Sequence, residues 1–400
     1  MSEFNFEILG KDVKSDARAG VIHTVHGDIQ TPAFIPVGTQ ATVKSMSNED
    51  LQGIGVQVFF VNTYHLYLRP GLEVIEKCGG LHSFIGWERP LMTDSAGFQI
   101  FSLGNVNRQR RLCLQGDPLE IPLVKINEEG VIFRSHLDGS EHIFTPEKSV
   151  ESQMILGADM MIAFDECTYY PATHDYAKKA MERTHRWALR CLAAAQGKLQ
   201  DYQALYGVVQ GGVFEDLRRE STKFISNLPF EGVAIGGVAV GESKKEMQDV
   251  LDWVIPLLPE EKPRHLLGVG EIDDIFALVE KGIDTFDCVM PTRLARMGFV
   301  LVKLKTQNSK LKTNKERFLL DLTKAESAVD TRPIDETCDC FVCKNYRREY
   351  LNHLFRAKEL LAYRLATYHN LYFLENLMQD IRVSIKEGRF DQLKKEWLPR

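Results

Sequence analysis

Eight short apolar runs punctuate this chain, at residues 31–37, 56–62, 90–93, 159–164, 205–209, 232–235, 265–269 and 285–289. Most are apolar at successive rather than alternate positions, which suits strands buried on both faces, as in a parallel sheet covered by helices. Between the later runs, apolar residues recur at helical spacing over 176–195, 214–228, 244–258 and 272–281. Strand followed by helix, eight times over, predicts a (β/α)8 TIM barrel in the α/β class. An open doubly wound sheet is the main rival, but it wants a Gly-rich phosphate turn after its first strand, and 31–37 leads into none.

Three stretches stand outside the repeat. Residues 4–32 read as a small antiparallel lid at the N-terminal side of the barrel. Residues 104–143 read as a long polar excursion with a hairpin at 124–135. Residues 299–400 hold a basic patch, a cysteine cluster and two helices. The expected division is a catalytic barrel with its lid over 1–298, then a zinc-binding subdomain and C-terminal helices over 299–400.

Several apolar runs hand over directly to polar groups. The third gives Asp94-Ser95, the fourth Asp165-Glu166-Cys167, the fifth Gln210-Gly211-Gly212 and the sixth Gly236-Gly237, while the eighth carries Asp287. In a barrel these strand ends converge on one mouth, where active sites are built. Chemistry at a glycosidic carbon typically uses two carboxylates, one as nucleophile and one to manage the leaving group's proton. Taken singly, each acid reads more readily as a cap on the following helix. Three at one mouth favour a site without naming a reaction.

Of eight cysteines, Cys78, Cys113, Cys167, Cys191 and Cys288 are scattered, whereas Cys338, Cys340 and Cys343 crowd into six residues. With His369 they supply the three thiolates and one imidazole of a closed, structural zinc site, one per chain. A closed shell leaves no place for water, so no catalytic role follows. His353 is the competing fourth ligand, and three neighbouring surface thiols without metal are the plainer alternative.

The net charge of −6 argues against a surface that coats nucleic acid. A local patch nevertheless gathers Lys303, Lys305, Lys310, Lys312, Lys315 and Arg317 around a single acid, Glu316. On charge alone it reads as a solvated hairpin edge. No apolar stretch is long enough to span a bilayer, and the N-terminal residues lack the basic start and apolar run of a secretory signal. A cytoplasmic address is expected.

The segments TDSAGFQIFSLG (93–104), IAFDEC (162–167), VVQGG (208–212), AIGGVAVGE (234–242), HLLGVG (265–270) and FDCVMPTRLARMG (286–298) resemble the queuine-type tRNA-guanine transglycosylases, in their bacterial form. So do NTYHLYLRPG (62–71), GGLHSFIGWERP (79–90), SHLDGS (135–140), CDCFVC (338–343) and YHN (368–370), in the same order along nearly the whole chain. The resemblance implies a double-displacement base exchange at the wobble guanine of tRNAs with a U-G-U anticodon, those of the Asp, Asn, His and Tyr type. By position, Asp287 would be the nucleophile at ribose C1′, and Asp94 the acid to the departing base and the base to the incoming one. Asp165 would accept from the N1 and N2 hydrogens of guanine. Gln210 and the Gly237 amide would serve its O6, Ser95 would support binding, and Phe98 and Leu267 would sandwich the ring. Arg293 and Arg296 match arginines that hold the neighbouring uridines, and the lysine patch becomes a phosphate-contacting surface.

Which base enters turns on pocket size. Cys167 and Val238-Ala239-Val240 resemble members that take 7-aminomethyl-7-deazaguanine, the pre-queuosine base, whose aminomethyl group the Val238 carbonyl would receive with Glu242 nearby. Members that accept queuine carry glycine where Val240 stands. The resemblance also implies a homodimer. Ala96 departs from the glycine usual in this motif, and 104–128 is unlike the common pattern. The alternatives are a queuine-inserting salvage enzyme and a non-catalytic accessory subunit, against which the presence of both Asp94 and Asp287 argues.

Overall fold

The computed structural model describes residues 4–102, 124–303 and 317–398. It opens with an antiparallel sheet of β1 (Asn5–Lys11), β2 (Arg18–Thr24) and β3 (Gly27–Thr31). Then β4 (Ala33–Gly38), β5 (Phe59–Val61) and β6 (Leu91–Thr93) begin the barrel. A second antiparallel sheet of β7 (Val124–Ile126), β8 (Val131–Arg134) and β9 (Glu141–Phe144) interrupts it. The barrel resumes with β10 (Met160–Ile162), β11 (Ala204–Val209), β12 (Gly232–Ile235), β13 (Arg264–Leu266) and β14 (Thr285–Cys288), and β14 pairs in parallel with β4 to close it. The eight expected runs are thus the eight barrel strands, within a few residues at their ends. The hairpin expected at 124–135 is β7–β8, to which β9 adds a third strand.

Strand alternation explains why those runs are continuously apolar. Ile35, Val37, Phe60, Met92, Met160, Ile162, Tyr206, Val208 and Ala234 pack together in one buried cluster inside the barrel. Their neighbours Phe34, Phe59, Val61, Leu91, Met161, Leu205, Val209, Val233, Ile235, Leu266 and Phe286 belong to a second cluster shared with the outer helices. Both faces are buried, so neither can be polar. The four expected helices form as His174–Ala195, Glu215–Ser226, Lys244–Val254 and Ile272–Glu280. The helix Lys244–Val254 begins in a capping box made by Ser243 and Glu246.

Phe4, Ile22 and Ile29 of the first sheet join the barrel's interior cluster and plug its N-terminal end. Arg18 fixes this lid. Its guanidinium forks onto Asp284 at 2.8 and 2.5 Å and donates to the Glu260 and Lys262 carbonyls at 2.7 and 3.0 Å. Asp284 also accepts from the Arg264 N–H at 2.7 Å, and its side chain is fully buried.

Beyond the barrel, β15 (Phe299–Leu301) pairs with β16 (Leu319–Asp321). Where two helices were expected in 299–400, the described residues hold four: Phe341–Asn345, Arg348–Ala357, Leu360–Lys386 and Phe390–Trp397. Cys340 caps the first of these through its sulfur, and Gly388, in the left-handed region at φ 67°, separates the last two. Leu371, Leu374, Met378, Ile381 and Ile385 of the long helix share the barrel's outer core. No helix among the described residues is long and apolar enough to cross a membrane.

Replacing Arg18 by Met should lower stability by about 3–5 kcal/mol, because it strands the buried Asp284 charge. A thermal melt of Arg18→Met against wild type checks this, and adding Asp284→Asn should recover part of the loss.

Candidate active site and metal cluster

Asp94 leaves β6 at the barrel mouth and is almost fully buried. Its carboxylate accepts from the Asn62 side-chain amide, from the Thr63 N–H at 2.8 Å and from the Ala96 N–H at 3.1 Å. Burial drives its pKa up, those donors pull it back, and the balance stands at about 6. Asp165, three residues beyond the end of β10, is equally buried. It accepts from Gln210 Nε2 at 2.7 Å and from Ser95 Oγ at 3.4 Å. Its pKa is likewise raised to about 6, first by burial and also by the negative charge of Asp94.

Asp287 is held differently. It sits within β14 with 13% of its side chain exposed. One oxygen accepts from the Gly268 N–H at 3.1 Å and lies 3.3 Å from His265 Nε2. His265 is fully buried, with Nδ1 2.9 Å from Thr285 Oγ1 and its ring stacked 5.9 Å from Phe60. With its other nitrogen against a hydroxyl that can donate, the ring is set to give its Nε2 proton to Asp287.

Ser95, Asp165, Gln210 and Gly237 form one connected wall. A Cβ on Gly236 would stand 2.5 Å from Gln210 Nε2, and one on Gly237 2.7 Å from Gln210 Oε1, so only glycine lets this amide lie between β11 and β12. Gln210 Oε1 has no hydrogen-bond partner although it is buried. Behind the wall, Arg218 is fully buried and clamps the loops after both strands. It donates to the carbonyls of Gly212 at 2.7 Å, Val209 at 3.0 Å, Gly236 at 2.8 Å and Gly237 at 3.1 Å.

The remaining expected residues surround these walls. Val238 is buried, Leu267 is half-buried against the interior cluster, and Phe98 is half exposed. Val240 is half-buried and donates its N–H to Glu242 at 3.0 Å. Arg293 is exposed and Arg296 half-buried on the helix Met290–Arg296 that follows β14. Glu166 is no part of the mouth: it is buried on Arg183 and accepts from the Tyr176 hydroxyl at 2.8 Å. Of the lysine patch, Lys303 lies over the Trp397 ring at 4.3 Å, and Lys305, Lys310, Lys312 and Lys315 lie outside the described residues, as does most of 104–128.

Asn62, Thr63, His265, Gly268 and Arg218 escaped the sequence reading. Asn62 and Thr63 directly follow β5, where the helix Thr63–Leu68 begins, in the same strand-end pattern as Asp94. His265 is hidden inside an apolar run, and Arg218 on an amphipathic helix reads as an exposed charge.

The cysteine cluster assembles as expected. His369 Nδ1 lies 3.9, 3.5 and 3.4 Å from the sulfurs of Cys338, Cys340 and Cys343. His369 Nε2 stands 2.7 Å from the Leu301 carbonyl, which fixes the proton there and turns the Nδ1 lone pair toward the thiols. Neighbouring thiols, Cys338 foremost, hold the Cys340 thiol well below its ordinary value. This buried set is compatible with a structural metal ion. His353 stacks on Tyr350 instead and is not among these ligands. His369 sits well inside the helix Leu360–Lys386 rather than near its start.

Fold and mouth together define a TIM-barrel enzyme with converging carboxylates and an appended Cys3His cluster. The family model described as queuine tRNA-ribosyltransferase matches residues 12–400. A queuine tRNA-ribosyltransferase of Pelotomaculum thermopropionicum is 49% identical over 394 residues, covering 98% of each chain. One from Caldanaerobacter subterraneus subsp. tengcongensis is 48% identical over 398 residues, covering 100% of this chain and 98% of its own. The chain belongs to the queuine tRNA-ribosyltransferase family, a family of pentosyltransferases.

Asp94 and Asp165 generate a pH test. Each keeps its proton in the folded state up to about pH 6 but loses it near 3.8 when unfolded, so stability falls as pH rises through that window. The Asp94→Asn and Asp165→Asn variants lack that loss. Their melting temperatures relative to wild type should therefore be higher at about pH 7.5 than at about pH 4, by the equivalent of roughly 2–3 kcal/mol each.

Proposed function

We propose that this protein is a tRNA-guanine transglycosylase of queuosine biosynthesis. It exchanges the wobble guanine of U-G-U anticodons, in tRNAs of the Asp, Asn, His and Tyr type, for 7-aminomethyl-7-deazaguanine. The observation that carries this reading is the contrast among the three carboxylates. Two are buried with pKa values near neutrality, and one is partly open and held by a backbone amide and a histidine.

Asp287 attacks ribose C1′ as the bond to guanine N9 breaks, forming a covalent ester with the RNA. Asp94 gives its proton to the departing guanine. The incoming base then returns its N9 proton to Asp94 and displaces the Asp287 carboxylate from C1′. A group with a pKa of about 6 can pass through both states, whereas the nucleophile must remain ionised. Asp165 receives the N1 and N2 hydrogens of the base. Gln210, whose Nε2 already donates one hydrogen to Asp165, offers its second to O6 beside the Gly237 N–H. Ser95 holds Asp165, and Phe98 and Leu267 cover the faces of the ring.

Arg293 and Arg296 reach the uridines that flank the guanine. The Val238 carbonyl and Glu242 receive the aminomethyl group, and Val240 closes the space that a cyclopentenediol would need. Cys338, Cys340, Cys343 and His369 hold one zinc, which ties the short helix at Cys340 to the long C-terminal helix and leaves catalysis to the barrel. The protein works in the cytoplasm as a homodimer.

The deciding experiment offers labelled 7-aminomethyl-7-deazaguanine and labelled queuine in parallel to a U-G-U anticodon stem-loop. Incorporation of the smaller base alone is expected; incorporation of neither would overturn the proposal. Asp287→Asn should lose the covalent RNA adduct on a denaturing gel and slow exchange more than about 10³-fold. Val240→Gly should admit queuine, and failure to do so would remove Val240 as the gate.

A further inference from the structure

At the barrel end opposite the mouth, three side chains from separate elements meet. His26 lies in the turn between β2 and β3, His82 on the helix Leu81–Ile85, and Asp159 immediately before β10. His26 Nδ1 is 2.7 Å from Asp159 Oδ1, and His82 Nε2 is 3.4 Å from Oδ2. The two imidazoles lie face to face, with centroids 3.7 Å apart and planes 14° from parallel, and Tyr202 presents its ring edge-on to His26 at 5.7 Å. The Asp159 side chain is fully buried, while His26 and His82 are 28% and 15% exposed, leaving a way in from solvent.

We propose that His26, His82 and Asp159 form a second metal site, one that takes a divalent transition ion such as zinc, cobalt or nickel. Two imidazole nitrogens and one carboxylate oxygen are the donor set such ions prefer, whereas magnesium and calcium want oxygen alone. One donor atom from each residue lies within 4.8 Å of the other two. Around a tetrahedral ion with bonds near 2.0–2.1 Å, donors stand about 3.3 Å apart. To ligate one ion the two rings must swing out of their parallel stack, so that both lone pairs converge beside Asp159.

The surroundings suit a bound cation. Leu91 N–H donates to Asp159 Oδ2 at 2.8 Å and orients the carboxylate as a supporting donor does around a ligand. His82 Nε2 also lies 3.2 Å from the Arg89 carbonyl, a contact that ligation through this nitrogen would replace.

The site is remote from the mouth and needs no part of the base-exchange reading. Its role is to clamp the β2–β3 turn and the helix Leu81–Ile85 onto the start of β10. The open fourth position would be filled by water.

Equilibrium dialysis of the full-length protein against Zn²⁺ or Co²⁺, followed by metal analysis, tests this. Two ions per chain are expected for wild type and one for His26→Asn and for His82→Ala. His26→Asn keeps a hydrogen-bond donor beside Asp159, so a loss of ion there reports ligation rather than packing. In wild type, Co²⁺ at the second site should add weak visible absorption without the thiolate charge-transfer band of the Cys3His cluster. One ion per chain in wild type, or two in both variants, would overturn the proposal. Base exchange measured on the same samples stands apart, since its failure would bear only on the mouth.

Discussion

The pairing of β14 with β4 is the constraint on which the rest depends, because it closes the sheet and gives every strand a buried face on each side. Closure forces alternate residues into a narrow interior or onto the helices, and it brings the C-terminal ends of β5, β6 and β10 to β14 around one rim. Asn62, Asp94, Asp165, Gln210, Gly237 and Asp287 are distant in sequence and share that rim for this reason alone. The opposite end is stopped by Phe4, Ile22 and Ile29, and the Arg18–Asp284 pair holds this plug beneath β13 and β14. The strand that carries Asp287 is therefore anchored at its start by one buried ion pair and presents its reactive end at the other.

At the rim, environment separates like residues into different chemistries. Asp94 and Asp165 lose water, and Asp165 also faces the charge of Asp94, so both hold protons far more readily than ordinary carboxyl groups. Asp287 keeps contact with solvent and gains an amide and an imidazole as donors. The wall of Ser95, Asp165, Gln210 and Gly237 obeys a similar division of labour. Gln210 touches Asp165, while Arg218 braces four carbonyls from behind, that of Gly237 among them. Such a clamp fixes the backbone after β11 and β12, and it does so with a charge whose donors are directed at fixed carbonyls.

Much of this was legible in the sequence because closure writes itself into hydrophobic pattern. Runs such as 232–235 could not be read as surface strands, and the polar residues that ended them stood out against apolar neighbours. The same contrast exposed Asp94, Asp165 and Gln210, and spacing exposed Cys338, Cys340 and Cys343. What failed to show were residues whose partners come from elsewhere in space. His265 sits in an apolar run and takes its meaning from Thr285 and Asp287 on the next strand. Arg218 resembles its exposed neighbour Arg219 in sequence, and only the approach of β12 makes it a buried clamp. His369 was found as a ligand but misplaced in its helix, since a helix of 27 residues crossing from the cysteine cluster to the barrel core has no single amphipathic face to mark its start.

Ala96 shows how a departure at one residue ties local strain to this arrangement. It stands at φ 68°, in the left-handed region that costs a residue with a side chain about 1–2 kcal/mol. It is fully buried in the outer core, so its methyl group has packing to set against that cost. The left-handed turn also aims the Ala96 N–H at Asp94 Oδ1, 3.1 Å away. A relaxed backbone would withdraw that donor and leave burial to raise the Asp94 pKa further. The conformation is thus fixed by the carboxylate it serves and by the closed strand that precedes it, and alanine is tolerated because both neighbours over-determine the turn.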